Sequence, residues 1–275
     1  MQRNSAWLCD TGELQTTMRK NRTREILASG GVALGLIQNG LPTPEIPKMM
    51  AASGFDWLFL DTEHGSFHTE SVQAIIQSCL QTPMTPIVRV PDFQYDLVAR
   101  TLDAGAEGII FPRTESPDPL AKAVSWAKYP PSGVRGFGLG EPNIGYVSAS
   151  IPEIIDHHNR ENLVIAQIES MAGLDAIDEI AAVEGLDCLL LGPADMSVSL
   201  GIPGQWDHPK FQEAFDRVIA ACEANNIWPA THYRDPKLSI AAIERGMRLV
   251  SCTTELTLLW DGISNLGATL NQGRG

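Results

Sequence analysis

Ionisable side chains stand at the ends of several short apolar runs in this sequence. Asp61 and His64 follow one run, Arg89 lies near the end of the next, and Glu169 and Asp195 follow two later ones. These residue types bind cations, hold carboxylate substrates and transfer protons. The sequence therefore predicts a catalytic site wherever the ends of these runs meet.

Two carboxylates predict a metal site. Gln167 and Glu169 are two residues apart, so in a strand both side chains point to the same face. Glu169 and Asp195 end consecutive runs, and neighbouring strands would bring them within reach of one ion. Oxygen ligands select a hard divalent cation such as Mg²⁺ or Mn²⁺. The alternative is that each carboxylate caps the helix after its strand. Their occurrence together with Arg89 favours the metal.

Arg89 and His64 are candidates for substrate binding and proton transfer. Arg89 ends an apolar run, and its planar guanidinium suits bidentate binding of a carboxylate. Its alternative role is a structural salt bridge to Asp61 or Glu63. His64 is a candidate acid/base whose tautomer a carboxylate could fix. A solvated loop histidine is the alternative.

The order of elements predicts the fold. Continuous apolar runs, typical of parallel strands buried on both faces, alternate with amphipathic helical segments. Eight such units in one chain predict a (β/α)₈ barrel, with a doubly wound open sheet as the alternative. The runs are 31–37, 56–61, 85–90, 107–112, 163–170, 187–193, 227–233 and 248–252.

The domain organisation follows from the same pattern. Residues 1–17 carry no periodicity and are predicted to be a disordered N-terminal extension, and residues 18–275 are predicted to form a single barrel domain. The Gly- and Pro-rich connection 129–160 is longer than an ordinary loop, which is typical of a lid or binding segment.

Composition excludes several classes of function. The 275 residues carry 20 Lys and Arg against 33 Asp and Glu, a formal net charge of -13, which disfavours nucleic-acid and anionic membrane partners. Five cysteines without a C-x-x-C pair fit a reducing compartment, so we expect a cytoplasmic protein. No run reaches the ~20 apolar residues of a membrane span. No Lys ends a strand, which disfavours a Schiff-base aldolase.

Several segments together resemble the HpcH/HpaI aldolase family. They are FDWLFLDTEHGSF, TPIVRVP, LDAGAEGIIFPRTES, YPPSGVRGFG and IAQIESMAGLDAIDEIAAVEGLDCLLLGPADMSVSLG. The resemblance spans roughly residues 25–265 and implies a barrel of the phosphoenolpyruvate/pyruvate-domain (TIM) type. It also implies a class II pyruvate aldolase, an aldehyde-lyase that depends on a divalent metal: Mg²⁺ or Mn²⁺, with Co²⁺ as a further candidate.

The resemblance assigns roles around the metal. Glu169 and Asp195 would be its protein ligands. Arg89, with the backbone amides of Ala194 and Asp195, would hold the carboxylate and keto oxygen of pyruvate. Gln167 would contact the bound oxoacid.

The resemblance also assigns the proton-transfer residues. His64 would be the acid/base, with Asp61 orienting it and Glu63 contacting a metal-bound water. Asp103 would reach the histidine of a neighbouring subunit. The implied assembly is a homohexamer, a trimer of dimers, with exchanged C-terminal helices.

The implied reaction joins or separates an oxoacid and an aldehyde through a metal-stabilised enolate. The small-molecule partners would thus be pyruvate, or a close oxoacid, and an aldehyde. Alternatives are a C–C lyase of the citrate lyase β or malyl-CoA lyase type and a barrel that binds an oxoacid without turnover. The chain departs from the family at Thr253, Glu255, His232 and Tyr233, positions that bear on the choice of aldehyde.

Overall fold

Eight parallel strands close into a barrel in the computed structural model, which describes residues 17–138 and 141–274. Each strand pairs with the next, and the last pairs with the first. The predicted (β/α)₈ barrel is confirmed, and the open-sheet alternative is wrong. The strands are β1 (Ala33–Gln38), β2 (Trp57–Asp61), β3 (Thr85–Arg89), β4 (Gly108–Phe111), β5 (Leu163–Ile168), β6 (Cys188–Leu191), β7 (Trp228–Tyr233) and β8 (Leu249–Thr254).

Helices connect and surround the strands. Their apolar faces pack on the outside of the barrel in one continuous core. Residues 1–16 of the predicted extension lie outside the described residues. The helices are α1 (Arg22–Ala28), α2 (Glu45–Ala52), α3 (Thr69–Leu80), α4 (Tyr95–Asp103), α5 (Pro117–Ala127), α6 (Ile151–Glu161), α7 (Met171–Asp175), α8 (Ile177–Ala181), α9 (Pro193–Ser199), α10 (Pro209–Asn225), α11 (Pro236–Glu244) and α12 (Glu255–Gln272).

The barrel interior is a second, separate apolar cluster. Trp57 and Phe59 of β2 stack with ring centroids 5.7 Å apart, and Ile165 and Leu190 pack in the same interior. A side chain at Gly35 would overlap the Trp57 ring, so only glycine fits this position of β1. The interior is a filled core, as expected for an eight-stranded barrel.

Helix α1 closes the N-terminal end of the barrel. Asn21 caps this helix by accepting the N–H of Arg24 at 3.0 Å. Leu27, buried in the helix, packs with Ala33 and Leu249, which lie near the starts of their strands. The cavity that could bind a substrate must therefore open at the other end.

The connection 129–160 lies away from the C-terminal end of the barrel. It links α5 to β5, and so runs at the N-terminal end of the strands, where it contains a short 3₁₀ helix (Glu141–Ile144) and α6. Lys128, just before this connection, donates to the carbonyls of Asn159 and Asn162 near its other end, both at 3.0 Å. These bonds hold the two ends of the connection together. Among its described residues, none lines the cavity at the catalytic end of the same chain, and the expected role as a lid or binding segment stays a prediction.

Among the described residues, no helix combines the length and apolarity that crossing a membrane requires.

Candidate active site

A cavity of about 500 Å³ opens at the C-terminal end of the barrel. Most of the predicted site residues line it, because they end strands whose carboxyl ends converge there. The lining comprises Ile37, Asn39, Phe59, Asp61, His64, Arg89, Gln167, Leu190, Gly192, Pro193, Ala194, Asp195, Trp206, His232, Tyr233, Arg234, Asp235, Leu238 and Thr254.

Asp61 and Arg89 form a buried pair on one wall of this cavity. Arg89 Nε and Nη2 donate to the two Asp61 oxygens at 2.9 and 2.7 Å. Arg89 is only 7% exposed. Burial lowers the pKa of its guanidinium, but the hydrogen bonds and charge of Asp61, together with the charges of Glu63 and Glu169, more than offset this and raise it. The salt-bridge alternative for Arg89 is therefore present, and the guanidinium lines the cavity as well.

The Asp61 carboxylate does more than hold Arg89. Its Oδ1 also accepts the backbone N–H groups of Glu63 at 3.1 Å and His64 at 3.3 Å. Asp61 thus fixes the turn that carries His64, and its oxygens face Arg89 instead of the imidazole ring. This differs from the orienting contact that the resemblance implies, since the carboxylate is already used by the guanidinium.

Gln167 and Glu169 point to the same side, as their spacing predicts, and of the two Gln167 lines the cavity. Gln167 donates through Nε2 to Glu169 Oε2 and accepts from Arg89 Nη1 at 3.3 Å. A Cβ on Gly192 would lie 2.9 Å from both the Gln167 amide nitrogen and Glu169 Oε2. The absence of a side chain at Gly192 therefore leaves room for the Glu169 carboxylate.

Asp195 lies opposite Glu169 in the first turn of α9, next to Ala194. Its side chain is exposed to the cavity. Burial raises the pKa of the Glu169 carboxyl, and the nearby negative charges of Asp195 and Glu63 add to this rise. The N–H of Arg113 and the charge of Arg89 oppose it.

His64 lies at the rim of the cavity. Its side chain is 67% exposed, and Nε2 is 3.9 Å from Glu63 Oε2. Glu63 itself is held by Arg89 Nη1 at 3.1 Å and by Arg113 Nε at 3.3 Å. The imidazole is therefore open to a reactant that enters the cavity.

Arg113 is a site residue that the sequence reasoning missed. It follows β4 with a positive φ of 46°, a conformation that costs energy for a side chain other than glycine. Its backbone N–H donates to Glu169 Oε1 at 2.8 Å. The sequence feature that could have identified Arg113 is its place just after the predicted fourth strand, as Asp61, Glu169 and Asp195 stand at the ends of theirs.

Asp103 lies apart from this cavity. It ends α4 and lines a different cavity of about 460 Å³, which α3 and α4 border. Arg135 Nη2 donates to Asp103 Oδ1 at 2.6 Å. Within one chain the structure does not bring Asp103 to His64.

The structure places three of the departures from the family pattern. Glu255 is buried, and its Oε1 accepts the N–H groups of Gly40 at 2.7 Å and Leu41 at 2.9 Å, so it fixes the loop after β1. His232 lines the cavity, and its Nδ1 is 2.8 Å from Ser251 Oγ. Thr253 adopts a positive φ of 58°.

The charges of the site fit a divalent cation. Four carboxylates (Asp61, Glu63, Glu169 and Asp195) surround two guanidiniums (Arg89 and Arg113), which leaves a net charge of about two negative units when all are ionised. In the described part of the chain, no group of three or more His, Cys, Asp or Glu side chains could bind a metal ion. Two protein carboxylates, completed by water or substrate, remain a donor set that suits Mg²⁺ or Mn²⁺.

A closed barrel with carboxylates, a buried arginine and an open histidine at its C-terminal end defines a (β/α)₈-barrel enzyme. A family model, HpcH/HpaI aldolase/citrate lyase, matches residues 40–261. The chain belongs to this family, and it is a carbon–carbon lyase of the aldolase type.

Relatives and solved structures agree with this assignment. The hydroxypyruvate/pyruvate aldolase of Deinococcus radiodurans is 33% identical and covers 90% of this chain and 89% of the relative. The 5-keto-4-deoxy-D-glucarate aldolase of Salmonella paratyphi A is 31% identical and covers 74% and 79%. The crystal structure of an HpcH/HpaI aldolase from Desulfitobacterium hafniense has a TM-score of 0.86 and 29% identity, over 90% of this chain and 95% of that chain.

Proposed function

We propose that the protein is a divalent-metal-dependent aldolase that cleaves 4-hydroxy-2-oxo acids to an aldehyde and pyruvate, or a close oxoacid such as hydroxypyruvate. The observation that carries this proposal is the meeting of Arg89, Gln167 and Asp195 in the lining of one cavity, with Glu169 hydrogen-bonded to Gln167. The names of the relatives, which act on pyruvate, hydroxypyruvate and a keto-deoxy sugar acid, support the choice of substrate class.

Glu169 and Asp195 would bind the cation. Each Glu169 oxygen accepts one hydrogen bond from the protein, so lone pairs remain for an ion. Mg²⁺ or Mn²⁺, or Co²⁺ as a further candidate, would act here as a Lewis acid toward the keto oxygen and favour enolate formation.

Arg89 and the start of α9 would hold the oxoacid. Asp61 accepts from Arg89 Nε and Nη2, and Nη1 faces Gln167 at 3.3 Å and Glu63 at 3.1 Å, so a substrate carboxylate at Nη1 would take the place of one of these contacts. The backbone N–H groups of Ala194 and Asp195 belong to the first turn of a helix and lack intrahelical acceptors there. A carboxylate between Arg89 and these N–H groups would be fixed at both oxygens.

His64 would handle the proton of the substrate hydroxyl. In the cleavage direction the C4 hydroxyl proton leaves to His64 or to a water it activates, the C3–C4 bond breaks, and its electron pair passes to the enolate of the oxoacid. Protonation at C3 then completes the oxoacid. The exposed position of His64 at the cavity rim suits contact with the aldehyde half.

Metal-dependent turnover tests the proposal. The protein is incubated with 4-hydroxy-2-oxo acids, and oxoacid release is followed with lactate dehydrogenase and NADH. We expect turnover that EDTA abolishes and that Mn²⁺ or Mg²⁺ restores. Turnover that survives complete removal of metal would contradict the metal dependence, and cleavage of a CoA thioester instead would favour the citrate lyase β or malyl-CoA lyase alternative. Binding of oxoacid without turnover would favour the non-catalytic alternative.

Carboxylate variants test the metal ligands. Glu169→Gln and Asp195→Asn keep the size of each side chain while removing its charge, so the barrel should fold and metal affinity should fall by at least tenfold in each. Calorimetric titration with Mn²⁺ measures this directly. Unchanged Mn²⁺ affinity in the double variant would show that other groups bind the ion.

We further propose that the protein assembles as a homohexamer, a trimer of dimers, through α12. This 18-residue helix exposes a row of large apolar side chains, among them Trp260 at 69%. Such a row on one helix is typical of a surface that is covered in an assembly. The row comprises Leu256, Leu259, Trp260, Ile263, Leu266 and Leu270.

Asp103 connects this assembly to catalysis in the proposal. Asp103 does not line the active-site cavity of its own chain, so it would act only in the active site of a neighbouring subunit.

Variants of α12 and of the shared site test the assembly. Trp260→Asp should lower the molar mass measured by light scattering, whereas Asn265→Asp, on the same helix, should not. Mixing inactive His64→Ala and Asp103→Ala subunits should restore part of the activity; no recovery after verified subunit exchange would contradict a shared site.

A further inference from the structure

His232 is an ionisable residue that the proposed reaction does not use, although its ring lines the cavity. It is the fifth residue of β7 and points into the barrel like Ala230, two positions before it. Ser251 is its register partner on β8, and Nδ1 lies 2.8 Å from Ser251 Oγ. The ring also meets Phe59 edge-on, with centroids 6.3 Å apart. Contacts on two sides therefore fix its orientation.

The surroundings keep this ring neutral. Burial lowers the pKa of His232 to about 4, and the positive charges of Arg89 and Arg234 contribute, against a smaller opposing effect of Asp61. The hydrogen bonds among described residues use Nδ1 and leave Nε2 available to the cavity. A neutral Nε2 donates or accepts one hydrogen bond, depending on the tautomer that Ser251 selects.

The groups that would bind the oxoacid lie on one side of the cavity, although Arg234 and Asp235 after β7 also line it. Arg89 on β3, Glu169 after β5 and Asp195 after β6 would face the carboxylate and keto oxygens of an oxoacid. The opposite wall, from β7 through β8 to β1, presents His232, Thr254 and Ile37. An oxoacid whose carboxylate and keto oxygens were bound by Arg89, Glu169 and Asp195 would direct C3 toward the wall that carries His232.

We propose that His232 Nε2 forms a hydrogen bond with a hydroxyl group on C3 of the oxoacid and so makes the enzyme select 2-oxo-3-hydroxy acids such as hydroxypyruvate over pyruvate. This inference rests on the proposed function and specifies its substrate class. A hydroxyl both donates and accepts, so it pairs with either tautomer of the ring. The methyl group of pyruvate does neither and leaves Nε2 unpaired.

Exchange of C3 protons in D₂O tests the proposal without an aldehyde. Proton NMR follows the metal-loaded enzyme with hydroxypyruvate and, separately, with pyruvate, and the quantity compared is the ratio of the two kcat/KM values. His232→Leu should lower this ratio about 5- to 30-fold, the effect of losing one hydrogen bond to a neutral group, mainly through hydroxypyruvate. His232→Gln, which places an amide near the position of Nε2, should recover part of the ratio.

Two further variants complete the test. His158→Leu removes a different buried histidine, on α6 at the opposite end of the barrel, and should leave the ratio unchanged. Ser251→Ala frees the His232 ring and should lower the ratio less than His232→Leu; it serves also if the leucine variant does not fold. Calorimetry should show the same change in the relative Kd values of the two oxoacids.

The possible failures are distinct. An unchanged ratio in a folded His232→Leu or Ser251→Ala enzyme that still exchanges pyruvate protons would overturn the role of His232 alone. Absence of exchange with both oxoacids in the metal-loaded wild-type enzyme would instead overturn the proposed function.

Discussion

Arg89 and Asp61 are direct register partners on β3 and β2 and share two hydrogen bonds, at 2.9 and 2.7 Å. The pair gives the guanidinium one fixed orientation, because both the strand positions and the side-chain contacts are determined. One edge of Arg89 is used by Asp61, and the remaining nitrogen faces Gln167 and Glu63. The arginine is thus prepared for a substrate before any substrate binds.

Removing the Asp61 charge should therefore affect stability and substrate binding together. Asp61→Asn leaves buried Arg89 with a weaker partner, and we expect a loss of about 2–4 kcal/mol in the free energy of unfolding, by analogy with broken buried pairs. KM for the oxoacid should rise as Arg89 loses its orientation. Glu63→Gln is the control, because Glu63 contacts only one nitrogen of Arg89, whereas Asp61 accepts two hydrogen bonds from it. Urea unfolding and steady-state kinetics measure both effects; equal losses in the two variants would contradict the argument.

The backbone at Arg113 should be strained. Arg113→Gly and Arg113→Ala both lose the contact with Glu63 and keep the N–H that Glu169 accepts. Only glycine adopts the observed φ of 46° without cost, so the glycine variant should be more stable than the alanine variant by ~1 kcal/mol. Asn226 has a similar positive φ of 54° at the end of α10 but lies outside the cavity. Asn226→Gly is therefore the matched control and should leave activity unchanged. Equal stability of the two Arg113 variants would show that no strain is present.

Glu255 should be a structural residue. Its buried carboxylate accepts three backbone N–H groups, from Asn39, Gly40 and Leu41. Glu255→Ala leaves these donors without a partner, and we expect a loss of about 2–4 kcal/mol in unfolding free energy. Glu255→Gln keeps one acceptor oxygen and should lose less. Thermal unfolding ranks the three proteins, and a Glu255→Ala protein as stable as the wild type would exclude this role.

Acid should destabilise the fold through a buried histidine. His158 is 6% exposed, and burial, with the charges of Arg135 and His157, lowers its pKa from 6.5 to about 3. The unfolded chain thus takes up a proton below pH 6.5 that the folded protein does not bind until about pH 3, so stability falls as pH falls through this window. At pH 5 the loss from this residue is about 2 kcal/mol relative to pH 8.

Replacement of His158 should flatten that dependence. Urea unfolding at pH 8, 6 and 5 should show a shallower slope for His158→Leu than for the wild type. His68, which is exposed, is the control for loss of a histidine. A slope that His158→Leu does not change would assign the acid sensitivity to other groups.

The barrel could be predicted because its signal is distributed along the chain. Every strand is a short apolar run, and burial on both faces requires such runs wherever a strand lies; Thr85–Arg89 and Leu163–Ile168 fall within the predicted limits. The positions of the site residues follow from the fold, since residues that end strands meet at one end of a barrel.

The contacts within the site could not be predicted in the same way. Whether Asp61 faces Arg89 or the His64 ring depends on side-chain rotamers, which strand positions leave open. Arg113 acts on Glu169 through its backbone N–H, a group that every residue except proline carries, so the residue type gives no signal. The position of the connection 129–160 could not be predicted either, because length and Gly content do not say at which end of the barrel a loop lies.

The closure of the barrel by Leu27 has a consequence for the order of events. As far as the described residues enclose the site, reactants that cannot pass α1 enter and leave at the C-terminal end, with Arg89 deep inside the opening and His64 at its rim. An aldehyde bound near the rim blocks the way to the oxoacid position below. Condensation should accordingly be sequential, with the oxoacid first and the aldehyde second, and cleavage should release the aldehyde before the oxoacid. Product inhibition of cleavage would then be competitive for the oxoacid and noncompetitive for the aldehyde, whereas the reverse pattern would require a second entrance.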